Sequence, residues 1–332
     1  MKKIINDIFE KIIDGKGDMD FEEAMLLTEY DFEKDRDSLN FLFQKADEIR
    51  GKFHGKKFDL CTIVNAKSGN CSEDCRYCAQ SSHYNTGSPI HELMDSQEIL
   101  ELAQNIEKKS VDKFSLVTSG KGLSNEEERD KLEKIYRILK KITSLHLCAS
   151  HGIIDYETAE ILKSSGVETY HHNLETSRTF YEEICTTHQY QERVETCQNA
   201  RRAGMKICSG GIFGLGESRR DRIEMAFELK ELQADSVPIN ILTPIEGTPL
   251  ALEKADYISP QEIVKTMAIY RFILPQAVIR YAGGRQLLGE YEKIGLRAGI
   301  NGALTGNYLT TTGSTVERDI EILKEAGFEI KK

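Results

Sequence analysis

The sequence predicts a parallel (β/α)8 barrel of the TIM type with a helical extension at its N-terminus. From Lys57 onward, eight short β-rich apolar segments alternate with amphipathic helical segments, and this alternation is typical of a parallel sheet covered by helices. A loop with three cysteines directly follows the first of these segments. Barrels of this kind place their catalytic groups at the carboxyl ends of the strands. We therefore expect a helical lead-in over residues 1–50 and one barrel domain over residues 51–332.

The lead-in contains three apolar runs with helical spacing, over residues 4–13, 21–27 and 39–49. The predicted strands that follow it occupy residues 58–65, 113–119, 145–150, 169–174, 206–214, 235–242, 278–284 and 303–309. Helix starts between them are indicated by a capping residue with glutamate three positions later, at Asp95, at Ser124 and at Ser259. Pro260 follows in the first helical position.

The composition excludes several classes of protein. The chain has 332 residues and a formal net charge of −10, with acidic and basic residues interleaved, whereas a nucleic-acid interface needs a basic face. It has no apolar run of about 18 residues that would predict a membrane span, and its N-terminus lacks the apolar stretch of a signal peptide. Eight cysteines in a chain of this length fit a reducing compartment better than a disulfide framework. We expect a cytoplasmic protein.

The strongest chemical signal is the loop Cys71-Ser-Glu-Asp-Cys75-Arg-Tyr-Cys78. This spacing brings three thiols to one side of a tight loop, where they can ligate one inorganic cluster. A ferredoxin-type cluster normally takes four cysteines, so three would leave one iron of a 4Fe-4S cluster open to another ligand. Two alternatives remain: a zinc site completed by His83, and a disulfide, which would leave one thiol over.

The cysteine loop, with Tyr77 before its last cysteine, resembles the cluster loop of radical S-adenosylmethionine (SAM) enzymes. The resemblance implies that the open iron binds SAM and that the cluster reduces it to a 5′-deoxyadenosyl radical. Five further stretches resemble the biotin synthase family within that superfamily: residues 170–177 (Tyr-His-His-Asn-Leu-Glu-Thr-Ser), 190–193, 206–217, 236–240 and 279–285. The resemblance runs in a consistent order over residues 61–312.

The resemblance to biotin synthases implies roles for individual residues. The cluster ligands would be Cys71, Cys75 and Cys78. The residues expected to contact SAM are Tyr77, Asn173, Glu175, Arg193, Gly210, Gly211 and Glu217. The family usually has aspartate where this chain has Glu175, a departure of one methylene group. Asn240 would hydrogen-bond the ureido ring of dethiobiotin, although an asparagine at a strand end is often only a turn residue.

Biotin synthases also carry an auxiliary 2Fe-2S cluster inside the barrel, held by three cysteines and one arginine. Cys148, Cys208 and Arg280 match three of these ligands, but Ser115 stands where the third cysteine is expected. We hypothesise that Cys61, on the neighbouring strand about 4.8 Å away, replaces it. A ligand moved sideways would allow a four-iron cluster as well as a 2Fe-2S one. The alternative is that Cys61 is an ordinary buried cysteine.

Two further cysteines and two histidines are not assigned to the catalytic site. Cys185 and Cys197 fall in stretches that we interpret as helical and outside the barrel strands, so we expect structural roles for both. His171 and His172 are adjacent on one predicted strand and must face opposite ways. The pattern does not say which of the two faces the barrel interior.

The reaction that the resemblance implies is radical insertion of sulfur into dethiobiotin, the sulfur coming from the auxiliary cluster. A flavodoxin or ferredoxin would supply electrons, and the enzyme would be a homodimer. One alternative is another radical SAM barrel, such as a hydrogenase-cofactor maturase or an amino-acid mutase, which would lack Cys148, Cys208 and Arg280 as a set. The other is an iron–sulfur carrier or a zinc-stabilised interaction protein without catalytic activity.

Overall fold

Parallel strands close into a barrel in the computed structural model, which describes residues 2–109, 111–123, 125–253, 258–306 and 313–330. The strands pair in the order β1-β2-β3-β4-β5-β7-β8-β9, and β9 pairs with β1 to close the barrel. The strands are β1 (Lys57–Lys67), β2 (Lys113–Thr118), β3 (His146–Ser150), β4 (Thr169–His171), β5 (Lys206–Cys208), β6 (Gly211–Phe213), β7 (Ser236–Ile241), β8 (Val278–Tyr281), β9 (Gly302–Leu304) and β10 (Glu329–Ile330). The predicted (β/α)8 fold is confirmed.

Helices cover the outside of this barrel. They are α1 (Lys2–Ile13), α2 (Phe21–Thr28), α3 (Arg36–His54), α4 (Ser96–Glu107), α5 (Glu126–Ile142), α6 (Tyr156–Ser165), α7 (Tyr190–Arg202), α8 (Arg219–Glu231), α9 (Pro249–Leu252), α10 (Pro260–Ile273), α11 (Tyr291–Leu296) and α12 (Val316–Glu325). The hydrophobic core lies between strands and helices, where outward-facing residues such as Leu116, Leu147 and Ile239 are fully buried. The barrel interior is thereby left to the other, mostly polar, face of each strand. Among the described residues no helix is long and apolar enough to cross a membrane.

The strand predicted over 206–214 is in fact two strands, β5 and β6, separated by Ser209 and Gly210. A side chain at Gly210 would place its Cβ 1.9 Å from the carbonyl oxygen of Pro238 on β7. The chain therefore presses against the neighbouring strand at this point, and only glycine permits it. The other strands agree with the prediction within a few residues, except that the last one ends at Leu304, and residues 307–312 lie outside the described part of the chain.

The predicted helix starts are confirmed at two of three positions. The Asp95 side chain accepts a hydrogen bond from the Gln97 amide at 2.8 Å, and the Ser259 hydroxyl accepts one from the Glu262 amide at 3.2 Å. The third prediction was wrong by one residue. Asn125, not Ser124, caps α5, and Ser124 itself lies outside the described residues.

The three predicted N-terminal helices are present as α1, α2 and α3. The apolar face of α1, which contains Ile5, Ile8 and Ile12, is buried, and α3 packs against both α1 and α10. The Lys265 ammonium on α10 donates to the carbonyl oxygen of Thr28 at 2.6 Å and is itself buried. These contacts fix the lead-in to the outside of the barrel.

Candidate active site

A cavity of about 580 Å³ occupies the barrel interior. Alternate residues of the strands line it, as expected when one face of each strand points inward. Near its upper mouth, at the carboxyl ends of the strands, it is lined by Tyr77, Cys78, Asn173 and Asn240. Further down it is lined by Cys61, Ser115, Cys148, His171, Cys208 and Arg280. One cavity therefore connects the cysteine loop with the cysteines of the strands.

The cysteine loop folds back on itself through backbone hydrogen bonds. The Cys71 amide donates to the Gln80 carbonyl at 3.0 Å, the Ser82 amide donates to the Cys71 carbonyl at 2.8 Å, and the Cys78 amide donates to the Cys75 carbonyl at 2.9 Å. Burial raises the pKa of the Cys71 thiol, and it raises the pKa of Cys78 to about 11. The loop thus gathers three largely enclosed thiols that must lose their protons to bind a metal.

The loop that joins β4 to α7 holds the cysteine loop in place. The Arg76 amide donates to the Ile184 carbonyl at 3.0 Å. The Asp74 carboxylate accepts from the amides of Thr186 and Thr187 at 2.9 and 3.2 Å. Burial would raise the pKa of Asp74, but the hydrogen bonds from Thr186 outweigh it and keep the pKa well below its usual range. The shape of the cysteine loop therefore depends on residues more than a hundred positions away.

The prediction that Cys185 lies in a helix was wrong. Cys185 follows a short 3-10 turn, and its Sγ lies 3.7 Å from the Sγ of Cys75. Cys197 does lie in α7, where it is buried and its Sγ is 3.4 Å from the carbonyl oxygen of His172. The helical pattern was misread at Cys185 because the stretch has no apolar periodicity of its own, and its conformation is set by contacts with the cysteine loop.

His83 does not approach the three thiols as a zinc ligand would. Its Nε2 lies 2.9 Å from the carbonyl oxygen of Ser72. Within the part of the chain that the structure describes, the group of three metal-ligand types whose ligand atoms lie within 4.8 Å of one another is Cys75, Cys185 and His188. The Cys3His alternative with His83 has no support in this geometry.

Asn173, Glu175 and Arg193 form one hydrogen-bonded group beside the upper mouth. The Asn173 amide donates to Glu175 Oε2 at 3.3 Å, and its Oδ1 accepts from the Gly210 amide at 3.2 Å. Arg193 donates to the Asn173 carbonyl at 2.9 Å and lies 3.8 Å from Glu175 Oε1. Glu175 has a positive φ of 72°, which is uncommon for a non-glycine residue and often marks a functional site.

Two of the residues expected to contact SAM have clear structural roles. A Cβ at Gly211 would lie 2.4 Å from the carbonyl oxygen of Glu175, so this glycine lets two chain segments meet. The Glu217 carboxylate accepts from the amides of Gly214 and Leu215 and pairs with Arg222 at 2.8 Å. Glu217 therefore closes its own loop, and its side chain is not among those that line the cavity.

Asn240 lies at the end of β7 with its side chain in the cavity wall. Its Oδ1 accepts from the Gly283 amide at 2.9 Å, and its Nδ2 donates to the Gly211 carbonyl at 3.2 Å. The amide is thus held by the neighbouring strands on both sides. The fixed side-chain amide keeps one N–H donor and one acceptor lone pair for a ligand, and both have a defined orientation.

Cys61, Cys148 and Cys208 come together lower in the barrel. The thiols of Cys61 and Cys148 interact, and this interaction lowers the pKa of Cys61 and raises that of Cys148. The register differs from a simple sideways exchange, because Cys61 is paired with Lys113 and Ser115 is paired with Ile63, two residues further along β1. Cys61 nevertheless reaches Cys148, whose own register partner is Ser115.

Arg280 is buried beside these cysteines. Its Nε donates to Ser236 Oγ at 2.8 Å, and its Nη2 donates to Asp59 Oδ1 at 2.6 Å. Its Nη1 is buried and has no hydrogen-bond partner among the described residues. Lys113 also contacts Asp59, at 2.7 Å. Burial opposes ionisation of Asp59, but Arg280 and Lys113 outweigh it and lower the pKa of the carboxyl to about 2.

The interpretation from sequence missed His171 as a residue of the site. His171 lines the cavity, and its Nδ1 lies 3.4 Å from the Sγ of Cys208. Burial raises the pKa of Cys208, but the His171 imidazole opposes it and the pKa falls to about 7. His172 is buried but does not line the cavity, and its carbonyl oxygen contacts Cys197 of α7. The signal that could have settled the choice is parity, because His171 and Asn173 are two residues apart and share a face.

Two family models match the chain. The Radical SAM superfamily matches residues 66–229, and the Biotin and Thiamin Synthesis associated domain matches residues 238–329. The first match contains the cysteine loop, Cys148 and Cys208, and the second contains Asn240 and Arg280. Most of the cavity wall therefore falls within these two matches, whereas Cys61 lies just before the first.

Curated relatives match over nearly the full chain. A biotin synthase of Fusobacterium nucleatum is 52% identical over 332 residues, covering 99% of this chain and 91% of the relative. One of Clostridioides difficile is 50% identical, covering 99% and 100%. Among solved structures, methylornithine synthase has a TM-score of 0.83 at 19% identity, covering 98% of this chain and 97% of that one. A maturase of the [FeFe]-hydrogenase has a TM-score of 0.84 at 19% identity, covering 99% and 75%, and at such identity both show the fold alone.

Proposed function

The chain belongs to the biotin synthase family of radical SAM enzymes, and from that premise we propose which of its residues carry the reaction. The enzyme inserts sulfur into dethiobiotin to form biotin. It uses SAM, a 4Fe-4S cluster and an auxiliary iron–sulfur cluster. The observation that carries the assignment of sites is the single cavity that both Cys78 and the cysteines of the strands line.

Cys71, Cys75 and Cys78 hold the 4Fe-4S cluster. Their support is the loop geometry, which encloses three thiols at the mouth of the barrel and brings Cys78 into the cavity wall. Three thiolates fit a four-iron cluster that keeps one iron for a ligand other than protein. The chemistry that this cluster supplies with SAM is the generation of the deoxyadenosyl radical. The chain's own contribution is to place that radical at the open end of a closed barrel.

Asn173, Glu175, Arg193 and Tyr77 bind SAM. The first three form one hydrogen-bonded group at the mouth, and Tyr77 lines the cavity next to Cys78. Glu175 offers a carboxylate to ribose hydroxyls or to the amino group of SAM, and Arg193 balances its charge from 3.8 Å. Gly210 and Gly211 allow the close strand contacts that shape this wall. Glu217 acts through its loop, since its carboxylate is engaged there.

Cys61, Cys148, Cys208 and Arg280 hold the auxiliary cluster that donates sulfur. The support is the convergence of three buried thiols and the buried Nη1 of Arg280, an atom without a hydrogen-bond partner in the described ranges. Because Cys61 lies two residues away from the level of Ser115, the ligand arrangement differs from the family's, and a four-iron cluster is as compatible with it as a two-iron one. Asp59 keeps the guanidinium oriented toward the cysteines.

Dethiobiotin occupies the space between these two groups. Asn240, held by Gly283 and Gly211, presents its amide to the ureido ring. The remainder of the chain's role is positioning and exclusion of water. A substrate held in a closed barrel has its C–H bonds within reach of the radical and few other donors nearby.

We also propose the setting in which the enzyme works. All eight cysteines are free thiols, which supports a reducing cytoplasm. A flavodoxin or ferredoxin delivers electrons, and the enzyme is a homodimer. These two proposals rest on family membership alone. Residues 1–50 act as a helical lead-in to a barrel of residues 51–332, with the boundary inside α3, which packs on α10 of the barrel.

The deciding experiment counts iron and sulfide in a Cys71/Cys75/Cys78→Ala triple variant after anaerobic reconstitution, with a Mössbauer spectrum. We expect iron to remain, held by the strand cysteines, and dethiobiotin to be left unconverted. About four remaining irons would indicate a four-iron auxiliary cluster. Cys197→Ala is the matched control and should hold both clusters and form biotin. A triple variant without bound iron would mean that Cys61, Cys148 and Cys208 hold nothing. Two remaining irons would indicate a 2Fe-2S cluster like that of the family.

A further inference from the structure

Three potential metal ligands meet behind the cysteine loop, on the side away from the barrel cavity. The Sγ atoms of Cys75 and Cys185 are 3.7 Å apart, and the Sγ of Cys185 is 3.2 Å from the Nδ1 of His188. All three residues are buried, and their ligand atoms lie within 4.8 Å of one another. Neither Cys185 nor His188 has a place in the proposed reaction.

These distances suit a bound metal ion. Zinc binds sulfur at about 2.3 Å and imidazole nitrogen at about 2.0–2.1 Å with tetrahedral geometry. Such a site has sulfur atoms about 3.8 Å apart and sulfur–nitrogen distances of about 3.6 Å. The observed 3.7 and 3.2 Å differ from these values by a few tenths of an ångström. A disulfide, by contrast, would require the two sulfur atoms to approach to about 2.05 Å.

The surroundings hold His188 in a ligand's orientation. Its Nε2 lies 2.8 Å from the Tyr181 hydroxyl, which also accepts a hydrogen bond from Arg193 at 2.5 Å. A metal-binding histidine usually has its second nitrogen engaged in this way. Glu73 Oε2 lies 2.6 Å from the Nδ1 of His188. A carboxylate oxygen therefore lies against the imidazole ligand, and a rotation of the Glu73 side chain would bring it to the metal as the fourth ligand.

We propose that, in the chain without its 4Fe-4S cluster, Cys75, Cys185 and His188 bind one divalent transition-metal ion, with Glu73 as the fourth ligand. Binding displaces the thiol protons of both cysteines to solvent and leaves the single imidazole proton of His188 on Nε2. A mixed set of thiolate, imidazole and carboxylate ligands suits Zn²⁺, Co²⁺ and Fe²⁺, and affinity for Zn²⁺ exceeds that for Fe²⁺.

This ion and the cluster compete for Cys75. The thiolate of Cys75 completes the site only while the cluster is absent, so zinc bound here delays cluster assembly. The proposal depends on the proposed function only for the role of Cys75 as a cluster ligand. It does not depend on the substrate.

The test uses Co²⁺ as an optical probe on the full-length protein, freed of iron with a chelator under anaerobic conditions. Thiolate-bound tetrahedral Co²⁺ gives sulfur charge-transfer bands and intense d–d bands, and the other cysteines contribute a background. We expect Cys185→Ser and His188→Gln each to bind one Co²⁺ fewer than the wild type. Cys197→Ser, which removes a buried thiol elsewhere, should bind the same number as the wild type. Equal Co²⁺ binding in the wild type and both site variants would overturn the proposal.

A second measurement follows iron uptake during cluster reconstitution with and without equimolar Zn²⁺. Zn²⁺ should slow uptake severalfold in the wild type and much less in His188→Gln. His188→Cys, which replaces one ligand by another, should retain the Co²⁺ site and so guards against loss of folding as the cause. If zinc slows both proteins equally, the ion binds elsewhere. That outcome would leave the family assignment intact, because these variants keep Cys71, Cys75 and Cys78.

Discussion

The guanidinium of Arg280 and the carboxylate of Asp59 form a 2.6 Å ion pair near the lower end of the barrel interior, where Arg280 is 2% exposed. The pair joins β8 to β1 across β9, so it lies across the seam where the barrel closes. It also orients Arg280 toward the cysteines. Its loss should therefore affect both stability and the auxiliary site.

Replacing Asp59 by asparagine should lower the free energy of unfolding by about 3–5 kcal/mol, because it leaves a buried guanidinium without its charge partner. The measurement is urea denaturation of the cluster-free protein. Asp59→Asn with Arg280→Met should recover part of the loss, since the unpaired charge is gone. Lys293→Gln, which breaks an exposed ion pair with Glu325, is the control and should cost less than about 1 kcal/mol. A loss in Asp59→Asn no larger than the control's would mean that the pair contributes little.

Removing the Cys61 thiol should remove iron and sulfide from the auxiliary site while leaving the 4Fe-4S cluster in place. Iron and sulfide analysis of Cys61→Ala measures this, with Cys197→Ala as the control. Because Ser115 is the register partner of Cys148, adding Ser115→Cys should restore a cluster, now with two irons, as in the family. Full auxiliary iron in Cys61→Ala would identify Cys61 as an ordinary buried cysteine.

Gly210→Ala should destabilise the fold by about 1–3 kcal/mol or more, as overpacking does, because the new Cβ would lie 1.9 Å from the Pro238 carbonyl oxygen. Gly51→Ala is the matched control, since Gly51 lies within α3 and a Cβ added there would have no neighbouring atom within 4 Å. That change should stabilise the protein by about 0.5–1 kcal/mol. Thermal unfolding of both variants should shift the midpoint in opposite directions, and similar shifts would contradict the packing argument.

The unfolding free energy should fall as the pH drops from about 6.5 to about 4. Burial lowers the pKa of His151 from 6.5 to about 4, so the unfolded chain takes up a proton first as the pH falls, and stability is lost across that window. The difference corresponds to about 3 kcal/mol at most. His151→Gln should show a shallower decline between pH 7 and 5 in denaturant titrations. Some slope should remain, because the pKa values of His54 and His146 are also lowered to about 4. An unchanged slope in His151→Gln would show that another group dominates.

Local sequence carried most of the fold prediction. The alternation of strand and helix depends on short-range periodicity, and the strand boundaries agree within a few residues. The division of the fifth barrel strand was not predictable in this way, because it depends on how closely Gly210 approaches Pro238. The short strand β10, which pairs with the beginning of β1, is two residues long and carries too little pattern to be recognised.

The site was predictable where residues are close in sequence and less so where they meet only in space. The spacing of Cys71, Cys75 and Cys78 is visible in a stretch of eight residues. The contact between Cys75 and Cys185 joins residues 110 positions apart, so no local sequence pattern predicts it. The orientation of His171 could have been assigned from its parity with Asn173, and its register partner in the structure is Cys208, which also lines the cavity.

The hydrogen bonds from Thr186 and Thr187 to Asp74 impose an order of events on synthesis of the chain. When the cysteine loop leaves the ribosome, the segment that shapes it has not yet been translated. At about 5–20 residues per second, the loop waits for at least several seconds before its partner arrives. During this interval the loop has only its own backbone hydrogen bonds, such as the one between Cys71 and Gln80. Iron delivered to the nascent chain would meet a loop without the support of Thr186 and Thr187, so we expect cluster assembly to follow synthesis of that segment.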